Sequence, residues 1–185
     1  NRSQQPCRDR ALLERHKMMH MKSAFALFAA LVLTACSGQT DTDVAATDSP
    51  YFKAADAVVT VDGLPIRYRA EGPKSAQPIV MVHGFTSSLE TWDSVAAQLS
   101  SDYRVIRLDL PGHGLTGPDA QGRYTNADTV EFLSGFLDAL DIENPVIAGN
   151  SLGGLAAWRL AQKRPDDISK LVLIAPGGFS INGVT

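Results

Sequence analysis

The chain has 185 residues, of which 44% are hydrophobic and 20% are charged, and its formal net charge is −3 at pH 7. These values are typical of one globular domain and exclude collagen-like, low-complexity and polytopic membrane proteins. The chain is not basic enough for a nucleic-acid binder, so we expect no nucleic-acid partner. The two cysteines, Cys7 and Cys36, exclude a disulfide-stapled mini-domain and a four-cysteine metal site.

The first 35 residues are typical of targeting sequence. Residues 1–20 are polar and basic, and we expect them to be an upstream leader with no fold of its own. Residues 21–35 contain Lys22 followed by an uninterrupted run of small and apolar residues from Ala24 to Ala35. This run has the composition of a signal-peptide core and is too short for a permanent transmembrane helix. We therefore predict a signal peptide over residues 21–35.

The signal peptide ends in Leu33-Thr34-Ala35-Cys36, which resembles the lipobox of bacterial lipoproteins. The resemblance implies cleavage before Cys36 and lipidation of its thiol, and the alternative is an ordinary secretory signal that contains a cysteine. Two or more acyl chains hold a protein stably at a membrane. We thus expect Cys36 to anchor the protein in the cell envelope, with residues 36–50 as a flexible polar tether. A serine at position 37, directly after the lipidated cysteine, resembles the signal of lipoproteins sorted to the outer membrane more than that of lipoproteins retained in the inner membrane.

Strand and helix patterns alternate over residues 51–185. Residues 57–61 and 65–70 are β-prone and flank the turn signal Asp62-Gly63-Leu64, which predicts an opening β-hairpin. Residues 79–82 form a continuous apolar run that is typical of a strand buried on both faces of a parallel sheet.

Further predicted elements follow in the same alternation. A helical period over residues 88–100 has Ser87 or Ser88 as its N-cap. The remaining patterns predict strands at 103–108, 145–148 and 171–174 and helices at 126–140 and 152–163. This alternation predicts an α/β fold with a mostly parallel sheet and helices on both faces.

The pentapeptide Gly149-Asn150-Ser151-Leu152-Gly153 lies between a predicted strand and a predicted helix. A serine in such a tight turn needs small residues two positions away on each side, and its hydroxyl is then presented at the carboxyl edge of the sheet. We interpret Ser151 as a nucleophile. The alternative interpretation is a serine N-cap in a glycine turn.

Two further turns also follow predicted strands. In His83-Gly84-Phe85-Thr86 the glycine lets the backbone bend, so the N–H groups of Phe85 and Leu152 can form an oxyanion hole. For the His83 side chain we predict a structural role, bonding a nearby loop. The second turn, Asp109-Leu110-Pro111-Gly112-His113-Gly114, contains a histidine for which we predict a loop-stabilising role.

These three turns, in this order, resemble the α/β-hydrolase superfamily, in particular its small bacterial lipases and esterases, over residues 56–178. The resemblance implies an α/β-hydrolase fold and an ester substrate, with Ser151 as nucleophile and the backbone amides of Phe85 and Leu152 as oxyanion donors. It also implies that Gly84, Phe85 and Asn150 contact substrate. We expect no cofactor and no metal, and we make no prediction of the oligomeric state.

The sequence departs from the family in its triad. The family order is Ser, then Asp or Glu, then His, whereas all four histidines here, at positions 16, 20, 83 and 113, precede Ser151. Asp166 and Asp167 follow it, but in a turn at the wrong edge of the sheet. We therefore expect an inactive amino-terminal fragment, truncated after about the sixth strand, whose triad acid and histidine lie beyond residue 185.

Two classes of function fit these residues. The favoured one is a serine hydrolase of carboxylic esters, and C–C hydrolases, perhydrolases and aminopeptidases share the same motifs. The alternative is a non-catalytic, envelope-tethered binding lipoprotein on a hydrolase scaffold. A fragment that ends at the sixth strand should also expose a sheet edge and aggregate.

Overall fold

Six strands form one sheet in the computed structural model, which describes residues 46–178. The strands are β1 (Asp56–Val61), β2 (Leu64–Glu71), β3 (Pro78–Val82), β4 (Arg104–Leu108), β5 (Val146–Asn150) and β6 (Lys170–Ile174). Their order across the sheet is β1-β2-β4-β3-β5-β6, with β1 and β2 antiparallel and the four others parallel to one another. The predicted α/β fold with a mostly parallel sheet is confirmed. The predicted signal peptide and the predicted lipidation site at Cys36 lie outside the described residues.

The opening hairpin has a shorter turn than the sequence predicted. Asp62 and Gly63 both adopt positive φ, at 47° and 82°, which is the signature of a two-residue type I′ turn. Leu64 is already part of β2 and pairs with Val61. The twist of this turn matches the twist of the strands that it joins, so the hairpin closes in two residues rather than three.

Within residues 46–178, three α-helices cover the sheet: α1 (Asp93–Leu99), α2 (Asn126–Ala139) and α3 (Leu152–Lys163). The predicted helix over 88–100 is wrong in detail, because Leu89–Trp92 forms a 3-10 helix before α1 begins. Ser88 is at the N-cap position but makes no capping hydrogen bond, and its hydroxyl donates to Glu90 instead.

The segment predicted to be a tether contains one element that the structure describes. Ala46–Asp48 forms a single turn of 3-10 helix near the end of that segment. Over residues 46–178, no helix is both long enough and apolar enough to cross a bilayer.

The two faces of the sheet carry separate apolar cores. Side chains alternate along β3, so that Val80 and Val82 pack on one face while Ile79 and Met81 pack on the other. The first face is covered by α2 and α3, and the second by α1 and the 3-10 helix that precedes it. Helices therefore lie on both faces, as the sequence predicted.

A network of buried charges lies at the junction of β2, β4 and the turns beyond them. Arg67 on β2 has only 1% of its surface exposed. Its guanidinium binds Asp56 at 2.7 Å, Glu90 at 2.5 Å and Asp109 at 3.0 Å. Arg107 on β4 is equally buried and forms a neighbouring group of ion pairs. Buried charges are tolerated only when they are paired and hydrogen-bonded, and here each arginine has several carboxylate partners.

This pairing shifts the pKa of the carboxylates in the network. Burial alone would raise the pKa of Glu90, but hydrogen bonds from Arg67 and Ser88 outweigh it and lower that pKa to about 2. Burial likewise opposes ionisation of Asp56, yet hydrogen bonds from the Lys53 amide, Arg67 and Arg69 hold its pKa below the usual value. Both groups are therefore charged at neutral pH.

We expect Arg67→Met to lower the free energy of unfolding by about 3 to 5 kcal/mol, because it leaves buried carboxylates without a counter-charge. Lys163→Met is the matched control, since it removes a lysine that pairs with Glu131 in solvent, and it should cost less than about 1 kcal/mol. Urea denaturation at pH 7 measures both values. Equal losses for the two variants would contradict the structural role of the network.

Candidate active site

Three turns meet at one edge of the sheet because they follow neighbouring parallel strands. The turn at 83–86 follows β3, the turn at 109–114 follows β4, and Ser151 follows β5. In the sheet order these strands are adjacent, with β3 in the middle. Carboxyl ends of parallel strands form the edge at which open α/β sheets bind ligands.

Ser151 occupies a strained turn between β5 and α3. Its backbone has φ 49° and ψ −110°, a region that a residue with a side chain rarely adopts. The residue is exposed. It stands at the N-cap position of α3, yet its side chain makes no capping hydrogen bond. The geometry thus differs from the alternative interpretation, in which the hydroxyl would serve as a helix cap.

Backbone hydrogen bonds hold this turn, both within α3 and to the segment after β6. The Ser151 N–H donates to the Ile174 carbonyl at 3.0 Å, and the Ser151 carbonyl accepts from the N–H groups of Leu155 and Gly177, each at 2.9 Å. The segment after β6 therefore packs on the serine turn. Sequence reasoning missed this contact, because no local pattern connects residue 151 with residues 174 and 177.

Close approach of the backbone explains the glycines around Ser151. A Cβ atom on Gly153 would lie 2.6 Å from the His83 carbonyl oxygen, and one on Gly84 would lie 2.8 Å from Oδ1 of Asn150. Both distances are shorter than van der Waals contact allows. A Cβ atom on Gly84 would also lie 3.4 Å from the Cβ of Ser151. The serine turn and the turn at 83–86 are therefore packed directly against each other.

The remaining predicted site residues lie around this contact. Phe85 is 71% exposed, and Phe85 and Leu152 both line a cavity of about 590 Å³. Within the part of the chain that the structure describes, the N–H groups of these two residues donate no hydrogen bond. Gly84 and Asn150 are neighbours across the two turns. The structure thus brings all five residues together, and their catalytic and binding roles stay predictions.

His83 is fully buried and connects two of the three turns. Its Nδ1 lies 2.7 Å from the Gly84 carbonyl, and its Nε2 accepts from the Leu110 N–H at 3.0 Å. This pattern requires a neutral ring with the proton on Nδ1. Burial lowers the pKa of His83, and the Gly84 carbonyl and the charge of Asp109 oppose this only in part. The predicted structural role, bonding a nearby loop, matches these contacts.

His113 and Asp109 organise the turn after β4. The Nδ1 of His113 lies 2.9 Å from the Pro111 carbonyl, and its ring packs against those of His83 and Phe85 with centroids 5.2 and 5.6 Å away. These contacts fit the predicted loop-stabilising role.

Asp109 was missed by sequence reasoning, although an aspartate that ends a buried strand and opens a glycine-rich loop is a signal for such a role. Its fully buried carboxylate accepts from the Leu89 N–H at 2.7 Å and the Leu115 N–H at 2.9 Å, and it also binds Arg67.

The two aspartates that follow Ser151 in the sequence lie away from the serine turn. Asp166 and Asp167 precede β6, so they stand at the opposite edge of the sheet from the serine turn, and Asp167 accepts from Arg164 at 2.7 Å. Among residues 46–178, no group of three or more histidine, cysteine or acidic side chains could hold a metal ion.

The lowered pKa of His83 should make the free energy of unfolding depend on pH. Because folding lowers that pKa, the unfolded chain takes up a proton on His83 near pH 6.5 while the folded chain does not. Stability from neutral His83 is therefore fully present above about pH 6.5 and is lost as the pH falls below it. We expect the natural protein to have a higher free energy of unfolding than His83→Gln at pH 7.5, and we expect this difference to become smaller as the pH falls to 5.

Urea titrations across this pH range measure that difference. The range from pH 7.5 to 9 is the internal control, since it lies above the pKa of a histidine in an unfolded chain, and the two curves should run parallel there. Parallel curves down to pH 5 would be incompatible with a buried neutral His83.

Comparison with known proteins supports the same assignment of fold. The family model for the alpha/beta hydrolase fold matches residues 77–182, more than half of the chain. The dihydrolipoyllysine-residue acetyltransferase component of the acetoin cleaving system from Cupriavidus necator is 35% identical over 148 residues, which are 76% of this chain and 39% of that protein. The chain therefore spans well under half the length of this curated relative.

Solved structures give the same result. A membrane phospholipase A, described as a bacterial virulence factor, superposes with a TM-score of 0.68 at 26% identity, covering 96% of this chain and 55% of that one. Naproxen esterase from Bacillus subtilis superposes with a TM-score of 0.61 at 27% identity, covering 65% and 42%. With the sheet order, the serine turn and the family match in agreement, this chain belongs to the α/β-hydrolase family.

Proposed function

We propose that the whole protein hydrolyses carboxylic esters with Ser151 as its nucleophile. The observation that carries the proposal is the strained, exposed serine turn, whose hydroxyl caps no helix and which is packed against the turn that carries Phe85. A serine in this setting has no structural task that would explain its backbone strain, whereas a nucleophile gains exposure from it.

The chemistry follows from the groups around the cavity. Ser151 Oγ attacks the ester carbonyl carbon, and negative charge develops on the carbonyl oxygen. The N–H groups of Phe85 and Leu152 are fixed before the reaction and would donate to that oxygen. Collapse of the tetrahedral intermediate expels the alcohol and leaves an acyl-enzyme, which water then hydrolyses to the free acid and Ser151.

The base that takes the Ser151 proton is a separate part of the proposal. His83 cannot serve, because its Nε2 already accepts from the Leu110 N–H inside the core. We also do not assign the base to His113, because it precedes Ser151, whereas the family order places the histidine after the serine. We assign the base and its orienting carboxylate to polypeptide beyond residue 185. The greater length of the relatives supports this assignment, since the acetoin-system protein is matched over only 39% of its length.

We expect Ser151→Ala to lower kcat for p-nitrophenyl butyrate by about four orders of magnitude in the whole protein, because the acyl-enzyme can no longer form. Ser101→Ala is the matched control, since Ser101 is an exposed serine in a turn outside the site. A fluorophosphonate probe should modify the peptide that contains Ser151 in the natural protein only. Full activity in Ser151→Ala would reject the mechanism, and a natural protein that is neither active nor labelled would favour the non-catalytic lipoprotein.

The proposal also includes a lipid anchor at Cys36 and a place in the cell envelope, on the outer membrane. Support comes from the apolar run before the Leu-Thr-Ala-Cys sequence and from the similarity to a membrane phospholipase A over 96% of this chain. We expect metabolic labelling with a radioactive fatty acid to mark the natural protein and not Cys36→Ser. Equal labelling of both would exclude lipidation at this thiol.

A further inference from the structure

The cavity beside Ser151 has an apolar lining. Its volume is about 590 Å³, and its lining includes Phe85, Leu152 and residues of the loop between β4 and α2. Leu110, Pro111 and Tyr124 supply apolar surface from that loop. A substrate whose carbonyl lies at the two amides therefore has room for one of its substituents in this cavity.

The positive charge of Arg123 in the cavity lining is already paired with the carboxylate of Asp119. Among the described residues that line the cavity, Arg123 is the only arginine or lysine, and there is no aspartate or glutamate. Its guanidinium donates to the Asp119 carboxylate through Nε at 2.7 Å and through Nη2 at 3.0 Å. These hydrogen bonds raise the pKa of Arg123 and lower that of Asp119, so the pair is fully ionised and internally satisfied. An anionic substituent would find no unpaired cation here.

Tyr124 contributes an aromatic ring to the wall of the cavity, and a hydrogen bond holds its hydroxyl. Tyr124 is 51% exposed, although its hydroxyl accepts from the Asp119 N–H at 2.6 Å. The ring also packs over Gly112, where an added Cβ would be 3.1 Å from Cε1 of Tyr124. These two contacts hold the ring in place at the cavity, where it supplies aromatic surface that methylene groups can contact.

We propose that this cavity binds the unbranched aliphatic chain of an uncharged acyl ester, with Tyr124 as the wall that selects chain length. The inference rests on the proposed function, because it takes the ester carbonyl to lie at the Phe85 and Leu152 amides. Each methylene that becomes fully buried in the cavity should raise kcat/KM about fourfold. A carboxylate at the far end of the chain should oppose binding, since the apolar lining desolvates it without a partner.

The test compares p-nitrophenyl acetate, butyrate and octanoate with the p-nitrophenyl monoester of octanedioic acid, all on the whole protein. We expect kcat/KM to rise from acetate to octanoate and to be at least about tenfold lower for the octanedioate monoester. Tyr124→Ala and Asn126→Trp should each lower the octanoate-to-acetate ratio about tenfold, the first by removing the wall and the second by filling the cavity from the first turn of α2.

Matched controls separate these effects from general damage. Tyr51→Ala removes a tyrosine that is 76% exposed outside the cavity, and Gln98→Trp places the same large side chain on the exposed surface of α1. Neither should change the octanoate-to-acetate ratio by more than about twofold. Thermal unfolding of all four variants shows whether each is folded.

A binding measurement keeps the inference independent of catalysis. Calorimetric titration of 2-decanone into the whole Ser151→Ala protein should show binding that Asn126→Trp weakens about tenfold and that Gln98→Trp leaves unchanged. If hydrolysis fails but this pattern holds, the proposed function is wrong and the chain-binding cavity stands. Serine-dependent hydrolysis with no preference for octanoate over acetate, or equal use of the octanedioate monoester, would overturn the cavity proposal alone.

Discussion

The buried ion pair between Asp109 and Arg67 joins the sheet to the turns around Ser151. Arg67 belongs to β2, Asp109 ends β4, and the carboxylate also accepts from the amides of Leu89 and Leu115. A buried carboxylate is costly unless all its oxygens are occupied. Here the required partners come from the segments that frame the serine turn, so the stability of the core and the geometry of the site depend on the same contacts. Gly114 lies against this carboxylate, where no Cβ would fit.

Local sequence patterns predicted the elements whose burial follows a simple period. The apolar run at 79–82 is β3, and the apolar spacing over 126–140 is α2, which ends one residue earlier. The glycines of the pentapeptide were equally informative, because Gly153 must let the backbone approach the His83 carbonyl. The residues of the candidate site could thus be named from sequence, since strand ends in a parallel sheet converge whatever the loops between them contain.

Features that depend on partners far apart in the chain could not be predicted in this way. Arg67 alternates with apolar residues along β2, a pattern that normally indicates a solvent-facing side chain, and Arg107 is a charged residue in an otherwise apolar part of β4. Only the fold shows which carboxylates, from distant parts of the chain, surround Arg67 and Arg107. The interruption of the predicted helix at Trp92 has a similar origin, because the preceding 3-10 turn is held through the Leu89 amide by Asp109.

The serine turn shows how the fold sustains a strained backbone. A residue in such a conformation costs about 1 to 3 kcal/mol and persists only when its surroundings over-determine it. Ser151 is held on one side by Ile174 and Gly177 and on the other by the turn at Gly84, which His83 in turn connects to Leu110. These contacts fix the backbone of the two turns before any substrate binds. Amide donors positioned in this manner need no reorganisation as an oxyanion forms, and that is the property on which electrostatic catalysis by a backbone depends.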